Sequence, residues 1–161
     1  MSKLAKIPVD PAQSVDAIRV WFRLLRLHAR LTVAMAERLR TIGISVPQCD
    51  VLTTLTEREG LSQQELAKRL YVTKGNISGL IDRLEMAGFV ERRDLAADRR
   101  SHAIFLTPSG REKALQGIAI QHDYVSATLG QLVQGDIQDL DRLLVKTRDL
   151  IRLENERKGL A

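Results

Sequence analysis

The chain has 161 residues, of which 44% are hydrophobic and 28% are charged, and its formal net charge is +5. This length corresponds to one domain with a real hydrophobic core, and the composition excludes a disordered or fibrous protein. A single cysteine excludes an internal disulfide framework, and no apolar run approaches the roughly 18 residues needed to span a membrane. The positive excess lies in residues 1–111, which indicates a body that faces a polyanion.

A long helix is the first element that the sequence predicts, beginning near Ser14. The preceding residues lack the apolar core and cleavage site of a signal peptide, so we expect a loose arm and a cytoplasmic protein. Two apolar stripes follow the helix, whereas a single packing partner would require only one. We therefore expect the helix to contact its own domain and also a second subunit. The first stripe contains Ile18, Phe22, Leu25, Ala29, Thr32, Ala36 and Leu39, and the second contains Trp21, Leu24, His28, Leu31 and Met35.

A second helix is predicted after Gly43. Ser45 and Gln48 have the spacing of a capping box, in which each side chain accepts a hydrogen bond from a free backbone N–H at the helix start. Pro47 lies in the first turn, where its missing N–H is harmless. The residues that face the core at helical spacing are Val51, Leu52 and Leu55.

A helix-turn-helix motif follows. Ser62 and Glu65 form a second capping-box pattern that opens a third helix, and the hydroxyl of Thr73 caps a fourth. Gly88 ends the fourth helix as a left-handed cap. Two short helices joined by a tight turn make this motif. Its inner apolar residues are Leu66, Ala67, Leu70, Ile77, Leu80, Ile81 and Leu84.

The outer face of the fourth helix contains candidate DNA contacts. Gly75 and Gly79 face outward, although glycine inside a helix costs roughly 0.5 to 1 kcal/mol relative to alanine. This cost indicates close approach to a ligand; the alternative is that both glycines are tolerated surface residues. A recognition helix brings such a face within reach of base edges. The other polar residues on or beside this face are Lys74, Asn76, Ser78, Asp82 and Arg83.

A β-hairpin wing is predicted from two strand-like segments, Phe89 to Arg93 and Ala103 to Leu106, with a polar tip between them. Arg99 and Arg100 in this tip can meet phosphates or enter a minor groove. The alternative is a solvated loop on which they form exposed ion pairs, each contributing under about 1 kcal/mol. The carboxylates available for such pairs are Asp94 and Asp98.

Two helices are predicted at the C-terminal end. Thr107 as a cap and Pro108 at the first helical position start one of them. Gly135 breaks its apolar run, and Asp136 can cap the last helix. So small a domain cannot cover this much apolar surface, so we expect a symmetric dimer with recognition helices about one DNA turn apart. The stripe positions are Leu115, Ile118, His122, Val125, Leu129 and Leu132, and then Ile137, Leu140, Leu143, Leu144, Thr147, Leu150 and Ile151.

Three motifs occur in order between Leu61 and Gly110: IDRLEMAGFVERR, Asp98 with Arg100, and LTPSG. With the preceding segment VPQCDVLTTL, they resemble the MarR family of bacterial winged-helix regulators. The resemblance implies a mainly α fold, with a winged helix-turn-helix, a small β-hairpin wing and long N- and C-terminal dimerisation helices. Cys49 departs from the family pattern, in which an aromatic residue is usual.

The resemblance also divides the chain, as one interleaved domain, into an arm and dimerisation helix (1–45), a DNA-binding region (46–107) and C-terminal dimerisation helices (108–161). It implies a dimeric, sequence-specific DNA-binding transcriptional regulator, usually a repressor, that a small organic effector releases from a palindromic operator. The residues expected to contact DNA are Ser62, Thr73, Lys74, Gly75, Asn76, Ser78, Gly79, Arg83, Arg99 and Arg100. Those expected at an effector or sensing site are Trp21, His28 and Cys49.

Other functions remain open at this point. Cys49, in the first turn of a helix, could have a lowered thiol pKa and sense oxidation. It could instead be a small buried residue that leaves an enlarged pocket for an aromatic or phenolic effector. A winged-helix module that binds protein would favour exposed aromatic anchors on the recognition face, which carries none. The three histidines are scattered and no nucleophile or phosphate-loop motif occurs, so we expect neither an enzyme nor a metal or cofactor.

Overall fold

The structure, a computed structural model, describes residues 16–95 and 98–159, and the side chains of residues 95–101 lie outside this description. Helices account for most of these residues, as the sequence predicts, and three strands form one small sheet, of which the sequence predicts the two strands of the wing. In chain order the elements are α1 (Ala17–Arg40), α2 (Val46–Glu57), β1 (Leu61–Ser62), α3 (Gln63–Arg69), α4 (Lys74–Met86), β2 (Val90–Leu95), β3 (Asp98–Leu106), α5 (Pro108–Ala127), a 3₁₀ turn (Leu129–Gln131) and α6 (Gln134–Arg157).

The capping residues predicted for α2 to α5 all cap their helices. Both capping boxes are formed, and in α3 the backbone N–H and the hydroxyl of Ser62 each donate to Glu65 at 2.8 Å. These hydrogen bonds lower the pKa of the Glu65 carboxyl, because they stabilise its charged form. The hydroxyl of Thr73 accepts from the backbone of Asn76, and that of Thr107 caps α5. Local hydrogen bonding therefore sets where these four helices begin.

Two helix starts differ from the prediction. Helix α1 begins at Ala17 rather than near Ser14, because the Asp16 carboxylate accepts a hydrogen bond from the N–H of Ile18 at 3.0 Å. Asp136 does not cap α6, and that prediction is wrong: the helix begins at Gln134, and Asp136 lies in its first turn. A carboxylate in the first turn still interacts favourably with the helix dipole.

The sheet is antiparallel, with strand order β1-β3-β2. Leu61 of β1 pairs with Ile104 of β3, and Val90 of β2 pairs with Leu106. Strands β2 and β3 extend further into the wing than the apolar residues indicate, because ladder hydrogen bonds need no apolar side chains. The two-residue strand β1 was not predicted. It joins the start of the helix-turn-helix to the wing.

One hydrophobic core lies in the helix-turn-helix region. It takes the inward residues of α2 and α4, as predicted, and closes with the sheet and the start of α5. Its largest fully buried side chains are Leu39, Val51, Leu52, Leu55, Leu61, Leu66, Ile77, Ile81, Leu84 and Ile104. The core fixes α4 against the sheet, so the outer face of α4 and the wing keep a set relation to each other.

Helix α5 packs on this core through small residues. Gly110, Ala114 and Gly117 are its buried positions. A Cβ atom at Gly110 would overlap the carbonyl oxygen of Phe89, and one at Gly117 would lie 2.7 Å from the sulfur of Cys49. Glycine at both positions thus permits the close approach of α5. Ile120 of α5 also packs against the core, whereas Leu115, Ile118 and Val125 are exposed.

Large apolar surfaces remain exposed on α1, α5 and α6. Helix α6, which the structure describes in full, has no buried residue and makes no substantial packing contact with another described element. In α1 only Leu39 is buried, while Trp21 and Phe22 are each 51% exposed. These faces are the predicted stripes, and the described part of one chain leaves them uncovered.

Among the described residues, no helix is both long enough and apolar enough to cross a membrane.

Candidate nucleic-acid interface

The recognition helix α4 presents a polar outer face. Lys74, Gly75 and Asn76 in its first turn are exposed, and Ser78 and Gly79 are half-buried. The exposed Arg83 reaches back along the helix, placing a guanidinium nitrogen 3.6 Å from where a Cβ of Gly79 would lie. Six predicted contact residues therefore share one region of α4.

The described chain gives no steric reason for glycine at two positions of this face. Apart from its chain neighbours and the backbone of its own helix, no described heavy atom lies within 4 Å of a Cβ built on Gly75, and the contact at Gly79 is an ordinary one with a flexible arginine. Neither residue has a positive φ. An alanine at either position would favour the helix. Internal packing therefore does not explain the two glycines.

Ser62 and Thr73 lie at the N-terminal ends of α3 and α4, where their hydroxyls cap the helices. The hydroxyl of Ser62 is engaged with Glu65 both as donor and as acceptor. The same helix ends direct backbone N–H groups outward, and such groups attract anions. Each residue thus helps to fix a helix end and stands beside a surface that favours negative charge.

Arg92 of β2 joins the wing to the recognition helix. Its guanidinium pairs with Asp82 and with Glu85, and its side chain is only 22% exposed. These pairs neutralise two carboxylates that lie beside the outer face of α4. Sequence reasoning missed this residue, although strand alternation from the buried Val90 places Arg92 on the side facing α4. Asp82 and Glu85, three residues apart on that helix, were the matching signal.

The described side chains of the wing lie along strands β2 and β3. Nδ1 of His102 lies 2.9 Å from a carboxylate oxygen of Asp94, so the described partner of Asp94 is a histidine. On the other face of β2, the Arg93 guanidinium lies over the ring of Phe105, 4.3 Å from its centroid. The side chains of Arg99 and Arg100, and the predicted alternative in which they pair with nearby carboxylates, lie outside the described residues.

Cys49 is fully buried, and burial raises its thiol pKa to about 11, with a further contribution from the neighbouring Asp50. The expectation that the start of α2 would lower this pKa is wrong. The N–H of Cys49 already donates to the carbonyl of Ser45 at 2.9 Å. Desolvation therefore outweighs the helix end, and the neutral thiol is favoured.

The three residues expected at an effector site do not meet within one chain. Cys49 lies near Leu39 at the end of α1, whereas Trp21 is about 27 Å and His28 about 16 Å further along the axis of that helix at 1.5 Å per residue. The space beside Cys49 is also closed, because α5 approaches it at Gly117. Close packing on this side of Cys49 does not support the enlarged pocket expected from the missing aromatic ring.

A different depression, of about 360 Å³, lies between the end of α1 and α5. The Arg38 guanidinium covers the Tyr124 ring there, 4.5 Å from its centroid. The other lining residues are Thr41, Ile120, Asp123 and Ala127. Across the described ranges, no three histidine, cysteine or acidic side chains are grouped so that they could hold a metal ion.

Comparison with known proteins gives consistent results. Residues 44–102 match the sequence profile of the MarR family. An uncharacterized HTH-type transcriptional regulator of Bacillus cereus is 30% identical over 125 residues, covering 75% of this chain and 83% of that protein. Two solved structures share the fold. AbsC, a MarR family transcriptional regulator from Streptomyces coelicolor, has a TM-score of 0.78 at 24% identity, covering 87% of this chain and 98% of that one. FabT of Streptococcus pneumoniae, in complex with DNA, has a TM-score of 0.74 at 20% identity, covering 85% and 98%.

Proposed function

The chain belongs to the MarR family of DNA-binding transcriptional regulators, and from that premise we propose that it represses transcription as a homodimer on a palindromic operator until a small organic effector releases it. The observation that carries this proposal is the outer face of α4. Its inner face is fixed in the core, and its outer face offers amide, hydroxyl and cationic groups beside a wing. These groups suit the major groove.

The residues of α4 take different parts in this interaction. Lys74 meets a phosphate at the helix N-terminus, while Asn76 and Ser78 read base edges. Gly75 and Gly79 allow the helix backbone to approach the bases closely. Arg83 contacts the DNA from the next turn.

The remaining DNA contacts come from outside the body of α4. Ser62 and Thr73 hold two helix ends against phosphates, and Arg99 and Arg100 contact the backbone or minor groove from the wing.

A second copy of the chain covers the exposed apolar faces. Helices α1 and α5 carry exposed apolar faces, and α6 makes no substantial packing contact with another described element. Exposed patches beyond a few hundred Å² are rare on monomeric proteins, and a symmetric partner buries the same patch twice. Residues 1–45 and 108–161 would form this interface, while residues 46–107 bind DNA. The buried Ala114 and Gly117, where α5 packs on the core, support one interleaved domain rather than two separate ones.

The effector is proposed to be a small aromatic or phenolic compound. The depression beside Arg38 and Tyr124 supports this class, because a cation beside an aromatic ring suits an aromatic acid or phenol. Trp21 and His28 are exposed on α1. Because both lie far from Cys49 in the same chain, an effector that they contact would bind away from Cys49. The buried, neutral Cys49 thiol does not support oxidation sensing.

Sequencing genomic DNA fragments that the purified protein retains tests this function directly. The expected result is enrichment of an inverted repeat whose half-site centres lie about 10 base pairs apart, one helical turn. A recovered set with no shared sequence would contradict sequence-specific regulation. Repeating the selection with candidate aromatic acids and phenols then tests release by a ligand.

A further inference from the structure

Tyr71, in the turn between α3 and α4, has an unfavourable backbone conformation. Its φ is +54°, and it is the only non-glycine residue with positive φ in the described part of the chain. Left-handed backbone is costly for an L-residue and is the position at a helix end that glycine occupies without strain. The side chain is 93% exposed, so burial does not offset this cost. Strained residues of this kind cluster at functional sites.

The surroundings of Tyr71 are cationic. Tyr71 borders a depression of about 400 Å³ on the outer side of α3, which is also lined by Leu61 and Glu65 and by three basic residues, Arg58, Lys68 and Arg69. All three basic side chains are exposed, and the described residues form no close ion pair with them. After the hydrogen bonds from Ser62, the charges of Arg58 and Arg69 also help to lower the pKa of Glu65. The carboxylate of Glu65 is held by Ser62. The depression thus has a positive balance of three cations against one carboxylate.

The depression adjoins the recognition helix without belonging to its outer face. Lys68 and Arg69 lie in the last turn of α3, and Tyr71 stands two residues before Thr73, the N-cap of α4. In a helix-turn-helix the first helix crosses the DNA backbone while the second enters the groove. A cationic surface on α3 is therefore placed to meet phosphates beside the groove.

We propose that Arg58, Lys68, Arg69 and Tyr71 form a second DNA contact, called here the α3 surface, which holds the duplex backbone next to the groove that α4 enters. The cations meet phosphates. The ring of Tyr71 lies against the sugar-phosphate backbone, and its hydroxyl donates to a phosphate oxygen. This inference rests on the proposed DNA-binding function and adds an anchor that does not depend on base sequence.

Tyr71→Gly tests the proposal by moving stability and binding in opposite directions. Relief of the left-handed strain should raise Tm by about 2 to 4 °C. Loss of the ring and hydroxyl should weaken binding about 5- to 10-fold on a random-sequence duplex of about 30 base pairs, which is longer than two half-sites one turn apart. Tyr71→Phe should lose part of this affinity without a change in Tm. Met86→Ala, at an equally exposed residue near the end of α4, serves as the control and should bind like wild type.

The cationic residues provide the second readout. Lys68→Ala and Arg69→Ala should each reduce the slope of log affinity against log salt by about one unit, and Lys158→Ala at the end of α6 should leave the slope unchanged. If wild type binds the duplex and the Tyr71, Lys68 and Arg69 variants bind it equally well, the α3 surface is wrong while the proposed function stands. If wild type does not bind any duplex, the proposed function fails and this inference fails with it.

Discussion

The Cys49 thiol shows how packing overrides a local signal. Its position at a helix start indicates a reactive thiolate, but burial raises its pKa to about 11. The folded state holds the thiol proton more tightly than the unfolded chain does. The buried neutral thiol therefore stabilises the folded protein in full at every pH below the ordinary pKa of a cysteine. That contribution is lost as pH rises through about 11.

We expect Cys49 to be almost inert in the native protein. Alkylation by iodoacetamide at pH 8 should be slow in buffer and fast in denaturant, because only the unfolded chain exposes the sulfur. Peroxide should leave the DNA complexes of both wild type and Cys49→Ser intact. Rapid native alkylation would contradict the burial of this thiol, and release of wild type alone by peroxide would show that Cys49 is a sensor.

Gly75 provides a second test at the residue scale. Gly75→Ala should stabilise α4 by about 0.5 to 1 kcal/mol, since the described chain leaves room for the added methyl group. The same change should weaken operator binding, because the methyl group lies where the DNA approaches. Gly135→Ala is a matched control: it is also an open helical glycine, on α6, and should not alter operator binding. Unchanged binding by Gly75→Ala would favour the alternative of a tolerated surface glycine.

Single-residue signals in the sequence were mostly reliable where the contact is local, with the cap predicted at Asp136 as the exception. The caps at Ser45, Ser62, Thr73 and Thr107 were predicted and are confirmed, because cap and partner lie within three residues. The closed space beside Cys49 depends on Gly117, which is distant in sequence. A pairwise contact of that kind has no local signature.

At the scale of elements, the joint between the wing and α4 depends on Arg92. Arg92→Ala would leave Asp82 and Glu85 unpaired beside the proposed DNA face. Both carboxylates are partly exposed, so solvent screening limits the effect on folding to about 1 kcal/mol. Repulsion of phosphate should weaken DNA binding about tenfold at low salt, equivalent to about 1.4 kcal/mol.

Arg93→Ala is the matched control for this change. Arg93 is the next residue of the same strand, lies on the opposite face and pairs with Glu91. Binding titrations of both variants, with thermal melts as the folding check, separate the two roles. Equal binding by Arg92→Ala and wild type would mean that the two carboxylates do not face the DNA.

The sequence predicts elements best where they carry strong apolar periodicity. It indicated α2 to α5 and the wing, but not β1, whose two residues are too few for any pattern. The start of α6 was misplaced because Val133 provides no side-chain cap and Gly135 was taken as a break. The stripe of α5 was identified, but the fully buried positions of α5 are Gly110, Ala114 and Gly117, which apolar periodicity does not emphasise.

At the scale of the whole molecule, the proposed second subunit accounts for the exposed apolar faces of α1, α5 and α6. Removal of residues 136–161 should leave the helix-turn-helix core folded, since α6 contributes no buried residue to it. The remaining stripes should then lack their cover, giving a monomer or an aggregate. Sedimentation checks this outcome, and a well-folded dimer after truncation would place the interface elsewhere.

The central claim is that α4 reads an operator while its first turn meets the backbone. The measurement that tests it most directly is the affinity of Asn76→Ala and Lys74→Ala for the selected operator and for a random duplex. Asn76→Ala should lose about 1 to 3 kcal/mol on the operator and almost nothing on the random duplex, whereas Lys74→Ala should weaken both similarly and reduce the salt slope by about one unit. Equal losses on the two duplexes for Asn76→Ala, or none on either, would contradict base recognition by this face.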